Sequence, residues 1–282
     1  PIAVRVPLGR LRHDQKAVFS DLRLLAKGVS LSSRQHFREK HIRNRKNAEF
    51  APERHDIIMS LGAAWGHPDY GSIIEYYRKN FDIRFGLLIH DIIPLIGPEW
   101  CPQGLPRIFR RWLKSTLPQT DIIFTVSQKT SSDFERFYPN TETETIRLAT
   151  PSRSVTSSEA VPPPTGNRYV LCVGTIEVRK NHLYIFNLWK KMLQEKPVAD
   201  MPALVIAGAL GWLTHDLMLQ IENSNFLSGY IKIIHSPSDA QLDALYEGAL
   251  FTIVPSFYEG WGLPVSESLA RGKACLTSDG GA

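Results

Sequence analysis

The sequence lacks any apolar run that could cross a membrane as a helix. Its longest candidate, residues 203–213, is 11 residues long and contains two glycines. A membrane-spanning helix needs about 20 mostly apolar residues. We therefore expect no membrane-spanning helix in this chain.

Cysteine is scarce as well. Cys101, Cys172 and Cys275 are odd in number and far apart, so they form neither a disulfide framework nor a CxxC metal site. Since structural disulfides belong to oxidising compartments, we expect the chain to work in a reducing cytoplasm. A GxGxxG fingerprint is also absent, which disfavours a nicotinamide dehydrogenase.

The composition is that of an ordinary globular protein. Of the 282 residues, 43% are hydrophobic and 22% are charged, which excludes disordered and collagen-like chains. The length favours two domains over one. Residues 1–50 hold 12 Lys and Arg against 4 Asp and Glu, and the remaining residues hold 21 against 24. Any attraction to an anionic surface is therefore expected in the N-terminal part.

Short apolar runs alternate with segments of helical spacing. Most of the runs are apolar on both faces, as in strands of a parallel sheet covered by helices. The predicted strands are Asp56–Leu61, Arg84–His90, Asp121–Val126, Thr145–Ala149, Arg168–Gly174, Ala203–Gly208, Tyr230–His235, Leu250–Pro255 and Lys273–Thr277.

Two segments illustrate the helices between the strands. Apolar residues from Leu105 to Leu113 recur at the spacing of one helical face, and Ser238 with Gln241 forms a capping-box pattern at a helix start. Strand–helix alternation of this kind predicts an α/β doubly wound fold.

A linker is predicted between two domains. Eleven of the 18 residues from Thr150 to Asn167 are Pro, Ser or Thr, a composition typical of an extended connection. The predicted domains are residues 1–149 and 168–282. Ligands of parallel sheets bind beyond the carboxyl ends of the strands, so we expect two Rossmann-like domains that face each other across a cleft.

The stretch from Pro255 to Glu267 combines a strand end, a glycine-bearing turn and a predicted helix that starts near Leu263. Amides at such a helix start can bind phosphate. Glu259 and Glu267 are eight residues apart, about 80° beyond two helical turns, so they cannot form a close acid pair on one face. They suit the two ends of an elongated ligand. The alternative is a loop and a helix with two solvated glutamates.

A second stretch, Gly174–Asn181, follows the first predicted strand of the second domain. Adjacent Arg179 and Lys180 at a strand-to-helix turn can neutralise a diphosphate. The alternative is a surface turn with solvated cations.

Together the two stretches resemble the retaining family-4 glycosyltransferases of GT-B fold, and the resemblance covers residues 168–282. It implies that Arg179 and Lys180 bind the donor diphosphate, that Glu259 contacts the transferred hexose and that Glu267 holds the ribose. Many members carry Arg where this chain has Thr175, which makes the role of Arg179 less certain than that of Lys180. The implied donor-binding residues are Gly174, Thr175, Arg179, Lys180, Ser236, Gly260, Trp261, Gly262, Leu263 and Glu267.

The N-terminal half is similar to the family in the stretch His90–Leu95, which looks like the His-Asp-x-x-Pro element of mannosyltransferase-like members. The resemblance makes His90 a catalytic candidate beside Glu259, whereas a lone His at a strand end is otherwise more often structural. Ser127 is interpreted as a helix cap and not a nucleophile, because no G-x-S-x-G elbow surrounds it.

Other classes of ligand have weaker support in the sequence. Arg34–Lys46 holds six Lys and Arg with one acid and could touch an anionic membrane, although a solvated helix face is an equal alternative. No aromatic-interleaved basic motif favours nucleic acid. Neither His182 nor His215 has partners at metal-ligand spacing, and the resemblance implies a metal-independent enzyme without a cofactor.

The resulting hypothesis is a cytoplasmic glycosyltransferase in surface polysaccharide or lipopolysaccharide synthesis, with the inner face of the plasma membrane as the expected place of action. It would move a hexose, mannose or glucose, from a GDP- or UDP-sugar to a hydroxyl of a saccharide or lipid-linked saccharide, with retention. The alternatives are a GT-B sugar-nucleotide epimerase and a catalytically silent nucleotide-sugar-binding module. Because the chain starts at Pro1 and stops in a glycine loop at Ala282, we expect a fragment cut at both ends.

Overall fold

The computed structural model describes residues 3–5, 52–149, 168–195 and 201–281. The predicted linker 150–167 and the basic segment 34–46 lie outside these residues, so both stay predictions, as do the domain limits. Two compact units are present. The first contains described residues of Pro1–His90, Pro106–Val126 and Ser131–Ile146, and the second those of Asp91–Leu105, Ser127–Thr130 and Arg147–Ala282.

The first unit contains a five-stranded sheet in the order β1-β2-β3-β4-β5. Strands β2 to β5 are parallel, as predicted. One edge of the sheet adds a strand that the pattern did not predict, since β1 pairs antiparallel with β2. The strands are β1 Ala3–Arg5, β2 Ile57–Ser60, β3 Arg84–Ile89, β4 Ile122–Thr125 and β5 Glu144–Thr145.

The second unit contains a five-stranded parallel sheet in the order β10-β9-β6-β7-β8. Its strand order reverses between β6 and β9, and ligands of doubly wound sheets bind at the carboxyl ends of the strands beside such a point. The strands are β6 Tyr169–Val173, β7 Ala203–Gly208, β8 Ile231–His235, β9 Thr252–Val254 and β10 Cys275–Thr277.

Both faces of this second sheet are buried, which explains why its strands read as continuous apolar runs. Alternate residues of β6 and β7 pack into two cores. On one face Val170 and Leu204 pack with Trp189, and on the other Leu171 and Val205 pack among the side chains of a different helix.

Nine helical segments connect the strands that the structure describes. They are α1 Tyr70–Phe81, α2 Ile93–Ile96, α3 Leu105–Thr116, α4 Gln128–Phe137, α5 His182–Glu195, α6 His215–Asn223, α7 Asn225–Gly229, α8 Asp239–Gly248 and α9 Leu263–Ala270, with short 3-10 turns at Pro98–Trp100, Leu117–Gln119 and Val178–Lys180. Over these ranges, none of the helices has the length and apolar character that crossing a membrane requires.

Local sequence signals explain where these helices lie. The Ser238 hydroxyl accepts from the Gln241 amide and the Gln241 side chain accepts from the Ser238 amide, which confirms the capping box at the start of α8. The apolar stripe of α3 is confirmed at Phe109, Trp112 and Leu113, which are buried, whereas Ile108 is exposed.

Gly208, at the carboxyl end of β7, allows the backbones of two loops to approach closely. A Cβ atom built on Gly208 would lie 1.9 Å from the carbonyl oxygen of Gly174. Neither backbone can yield without moving its strand. Gly208 therefore fixes how closely β7 approaches the loop after β6.

We predict that Gly208→Ala destabilises the fold, because the added methyl collides with backbone. The expected loss is about 1–3 kcal/mol of unfolding free energy, measured by chemical denaturation. Gly66→Ala is the matched control, since a Cβ there meets no atom within 4 Å. Equal stability of the two variants would contradict the close approach.

Candidate functional site

Two loops lie side by side at the point where the strand order of the second sheet reverses. The first, Gly174–Asn181, follows β6, and the second, Ser256–Gly262, follows β9. The amide of Phe257 donates to the carbonyl of Arg179 at 2.9 Å and joins them. The structure thus brings together the two stretches that the sequence singled out.

Glu259 is the centre of a charged cluster between these loops. Lys180 Nζ donates to Glu259 Oε1 at 2.5 Å, and Arg179 Nη1 donates to Glu259 Oε2 at 3.0 Å. The hydroxyl of Ser256 also donates to Oε1 at 2.6 Å. Each charged side chain of this trio is at most 13% exposed, so solvent screens the three charges weakly.

Arg179 makes two further contacts that hold the loops. Its Nη1 also donates to the carbonyl of Tyr258 at 2.6 Å, and its Nη2 donates to Glu177 Oε1 at 2.6 Å. Glu177 is 3% exposed. The guanidinium fork thus ties the loop after β6 to the loop after β9 at two oxygens, on Tyr258 and Glu259, and braces its own loop through Glu177.

Sequence reasoning missed Glu177 and Ser256 as members of this cluster. The available signals were their spacings, two residues before Arg179 and three before Glu259. Such spacings are common on protein surfaces, so only the approach of the two loops identifies these residues.

The electrostatics of the cluster follow from burial and charge pairing. Burial alone would raise the pKa of Glu259, but Lys180 and Arg179 outweigh it and hold this pKa below its usual value. Burial dominates at Glu177 and raises the pKa of that carboxyl. Burial would lower the pKa of Arg179, yet Glu259 and Glu177 raise it. Arg179 and Glu259 therefore each favour the charged form of the other.

Glu267, the second carboxylate of the predicted pair, lies on α9. Tyr246 Oη donates to its Oε2 at 2.8 Å, and the Arg271 guanidinium lies 4.7 Å from the centre of the Tyr246 ring. Burial and the neighbouring carboxylate raise the pKa of Tyr246. The phenol therefore stays protonated and acts as a donor that orients Glu267.

The start of α9 confirms the predicted helix boundary. Gly262 is the N-cap with φ of 79°, a left-handed backbone that suits glycine, and Pro264 lies in the first turn, where proline is tolerated. The amide of Val265 donates to the carbonyl of Gly262 at 2.9 Å. The helix that presents these amides begins four residues after Glu259 in the chain.

The Gly260 carbonyl is held by hydroxyl groups from Ser127–Thr130, within the second unit. Ser127 Oγ donates to it at 2.7 Å and Thr130 Oγ1 at 3.3 Å. Ser127 Oγ also accepts from the amide of Thr130 at 3.1 Å, which confirms the predicted helix cap. Sequence reasoning did not foresee this second contact, because 133 residues separate the partners.

Other predicted donor-binding residues lie at strand ends of the same sheet. Gly174 and Thr175 follow β6, and Ser236 follows β8 with φ of 47° and its amide on the carbonyl of Gly208 at 3.2 Å. The indole N–H of Trp261 is buried and has no partner among the described residues. Contacts of these residues with a donor stay predictions.

His90 belongs to the first unit, at the carboxyl end of β3. It is exposed, and its Nε2 lies 2.9 Å from the carbonyl oxygen of Leu61. A catalytic role for His90 therefore stays a prediction. Among the described residues no group of three or more His, Cys, Asp or Glu side chains could hold a metal ion.

His182, the first residue of α5, follows the charged loop and is buried. Both ring nitrogens are without a hydrogen-bond partner in the part of the chain that is described. Burial lowers the pKa of His182 to about 4. The folded state therefore holds this ring in its neutral form.

We predict that Arg179→Lys destabilises the fold, because lysine keeps the charge but loses the fork to Glu177 and Tyr258. The expected loss is about 2–3 kcal/mol of unfolding free energy, measured by urea denaturation. Arg136→Lys is the control, since Arg136 is exposed and its ion pair with Asp133 spans 3.6 Å. A loss no larger than that of the control would contradict the clamp.

We predict that His182 makes the free energy of unfolding depend on pH. Since its pKa is about 6.5 in an unfolded chain and about 4 when folded, the unfolded state binds more protons between these values. The unfolding free energy should therefore fall as pH drops from 6.5 to 4, by at most about 1.4 kcal/mol per unit from this group. His182→Leu should flatten that slope, and the exposed His235→Leu is the control. An unchanged slope in His182→Leu would overturn the prediction.

Comparisons with known proteins show what the chain is similar to. Residues 156–282 match the family model described as Glycosyl transferases group 1. The chain is 29% identical over 241 residues to the O-antigen chain mannosyltransferase B of Escherichia coli, a match that covers 80% of this chain and 62% of that relative.

Two solved structures extend the comparison. The Anabaena protein Alr3699/HepE in complex with UDP-glucose matches with a TM-score of 0.55 and 14% identity, over 76% of this chain and 58% of that one. WaaG, a glycosyltransferase involved in lipopolysaccharide biosynthesis, matches with a TM-score of 0.53 and 14% identity, over 78% and 66%. The chain thus spans less than two thirds of the length of each protein.

The likeness to these solved structures confirms the predicted fold class, two α/β units of the GT-B type. A cleft between the two units stays a prediction. Residues 156–282 thus resemble the group 1 glycosyltransferases, and the chain has the fold of the solved glycosyltransferase structures.

Proposed function

We propose that the chain is part of a glycosyltransferase that moves a hexose from a nucleotide-diphosphate sugar to a hydroxyl of a saccharide acceptor. The observation that carries this proposal is the buried cluster of Lys180, Arg179 and Glu259 beside the start of α9. It combines cations, a carboxylate and helix-start amides at the switch point of a doubly wound sheet.

In the proposed reaction, the nucleoside diphosphate leaves as the bond to the hexose breaks. Lys180 would neutralise the negative charge that develops on the diphosphate, together with the amides of α9. Electrostatic help of this kind needs no covalent nucleophile from the protein. Retention of configuration at the anomeric carbon is part of the proposal on the strength of the family-4 resemblance.

The two carboxylates have separate parts in this scheme. Glu259 is held in its charged form by Lys180 and Arg179, so it would accept hydrogen bonds from hydroxyl groups of the hexose. Glu267, oriented by Tyr246, would accept from the ribose diol. His90 would contact the hexose as the second catalytic residue.

The relatives suggest the substrates. Mannose is the proposed hexose, since an O-antigen chain mannosyltransferase is 29% identical to this chain. A growing surface polysaccharide, free or lipid-linked, is then the proposed acceptor. The nucleotide is GDP or UDP, and the complex of Alr3699/HepE with UDP-glucose supports a nucleotide-sugar donor of this general kind.

The proposal includes a cellular location. The chain would work in the cytoplasm at the inner face of the plasma membrane, with Arg34–Lys46 in contact with anionic lipid. Neither a metal ion nor a cofactor takes part in the proposed reaction.

We predict that Lys180→Ala and Glu259→Gln each lower kcat/KM for hexose transfer by at least about 100-fold, because each removes a preorganised charge from the reacting site. The measurement is transfer from GDP-mannose and from UDP-glucose to manno-oligosaccharide, with product configuration read by NMR. Near-normal transfer by either variant would contradict the assignment.

The matched control is Lys191→Ala, an exposed lysine on α5 that pairs only with Glu195 at 3.8 Å among the described residues. It should leave transfer unchanged. Because an unpaired buried charge can cost about 3–5 kcal/mol of stability, the melting temperature of each variant is measured alongside. A product formed without acceptor, a free epimer or glycal, would instead identify a sugar-nucleotide epimerase.

A further inference from the structure

Three aromatic residues from different loops are linked by contacts in the second unit, and we call them the aromatic platform: Trp100, Trp212 and Phe257. The rings of Trp100 and Phe257 are stacked, with centroids 5.7 Å apart and an interplanar angle of 12°. The indole N–H of Trp212 donates to the carbonyl of Trp100 at 2.7 Å. The platform is therefore held by ring contact and by a hydrogen bond to backbone.

The platform exposes much apolar surface. Phe257 is 47% exposed and Trp212 is 41% exposed, and Leu210 and Leu213 beside Trp212 are more than half exposed. A contiguous exposed apolar patch on a globular protein commonly marks a binding site.

The platform is tied to the charged cluster by backbone contacts. Phe257 donates its amide to the Arg179 carbonyl at 2.9 Å and lies two residues before Glu259. On the other side, Leu210 forms a parallel bridge with Ile176, and the amide of Gly211 donates to the Ile176 carbonyl at 2.8 Å. Backbone contacts thus connect the rings to the cluster.

We propose that the aromatic platform binds a pyranose ring of the saccharide acceptor. This inference rests on the proposed function and names the part of the site that receives the second substrate. A diphosphate requires cations, and the cluster supplies them, whereas the three platform side chains carry no charge. The C–H face of a pyranose is apolar and packs on an aromatic ring, while its hydroxyl groups remain in water.

The relatives favour a saccharide over other occupants. The most informative of them builds an O-antigen chain by its printed name, so the second substrate of a similar enzyme would itself be a sugar chain. Continuity with the charged cluster puts such a chain beside the proposed hexose contact, Glu259.

The test separates acceptor binding from donor binding. In Trp212→Ala and Phe257→Ala, the KM for manno-oligosaccharide should rise about tenfold, the loss of one stacking contact of about 1.4 kcal/mol. In Trp212→Ala, the KM for the sugar nucleotide and its slow hydrolysis without acceptor should stay unchanged. Tyr184→Ala is the matched control, since Tyr184 on α5 is a comparably exposed aromatic residue away from the platform.

Trp212→Phe distinguishes stacking from structural support. It keeps a ring but loses the N–H that bonds to Trp100, so it should restore most of the acceptor affinity that Trp212→Ala loses. If donor and acceptor KM rise together in Trp212→Ala, the platform only supports the donor loops and the inference is overturned. The same conclusion follows if the acceptor KM matches that of Tyr184→Ala.

A failure of the proposed function would give a different result from a failure of this inference. Calorimetric titration of the unaltered chain with GDP-mannose and UDP-glucose tests donor binding without reference to the platform. No donor binding would contradict the proposed function, whereas donor binding with no effect of the platform variants on manno-oligosaccharide would contradict this inference alone. Loss of binding to anionic lipid vesicles in the variants, with saccharide affinity intact, would assign the platform to lipid and overturn the inference.

Discussion

The site depends on one constraint: Glu259 is a largely buried carboxylate and must be paired. Lys180 and Arg179 both meet it, and they come from the loop after β6 while Glu259 comes from the loop after β9. Leaving any one of these charges without its partners would cost several kcal/mol. Two loops that are about 80 residues apart in sequence are therefore fixed against each other by electrostatics, beside the amides at the start of α9.

Much of the fold could be predicted from local pattern. The predicted strand Ala203–Gly208 is observed with the same limits, because both faces of β7 are apolar and Gly208 ends it. Other strands are shorter than predicted, and Thr145–Ala149 is observed as Glu144–Thr145, since periodicity does not fix where ladder pairing stops. The antiparallel β1 was not predictable, because its pairing with β2 bridges more than 50 residues.

The charged residues of the site could be predicted from the sequence, but their arrangement could not. Charged residues in loops at strand ends are candidates for ligand binding. This is why the sequence draws attention to Arg179, Lys180 and Glu259. Glu177 does not stand out, because its role comes from its contact with Arg179, and the predicted helix cap at Ser127 does not reveal its contact with the Gly260 carbonyl. A short-range pattern contains no information on such partners, so only the folded chain identifies them.

The hydrogen-bond capacity of the two cations separates their roles. Both N–H groups on Nη1 of Arg179 are used, one on Tyr258 and one on Glu259, and Nη2 donates to Glu177. Lys180 has three N–H donors, and within the described residues Glu259 takes one of them. Lys180 therefore keeps donors for an anion, while Arg179 is mostly occupied in holding the loops. The geometry of the fork therefore favours Lys180 over Arg179 as the ligand of the diphosphate.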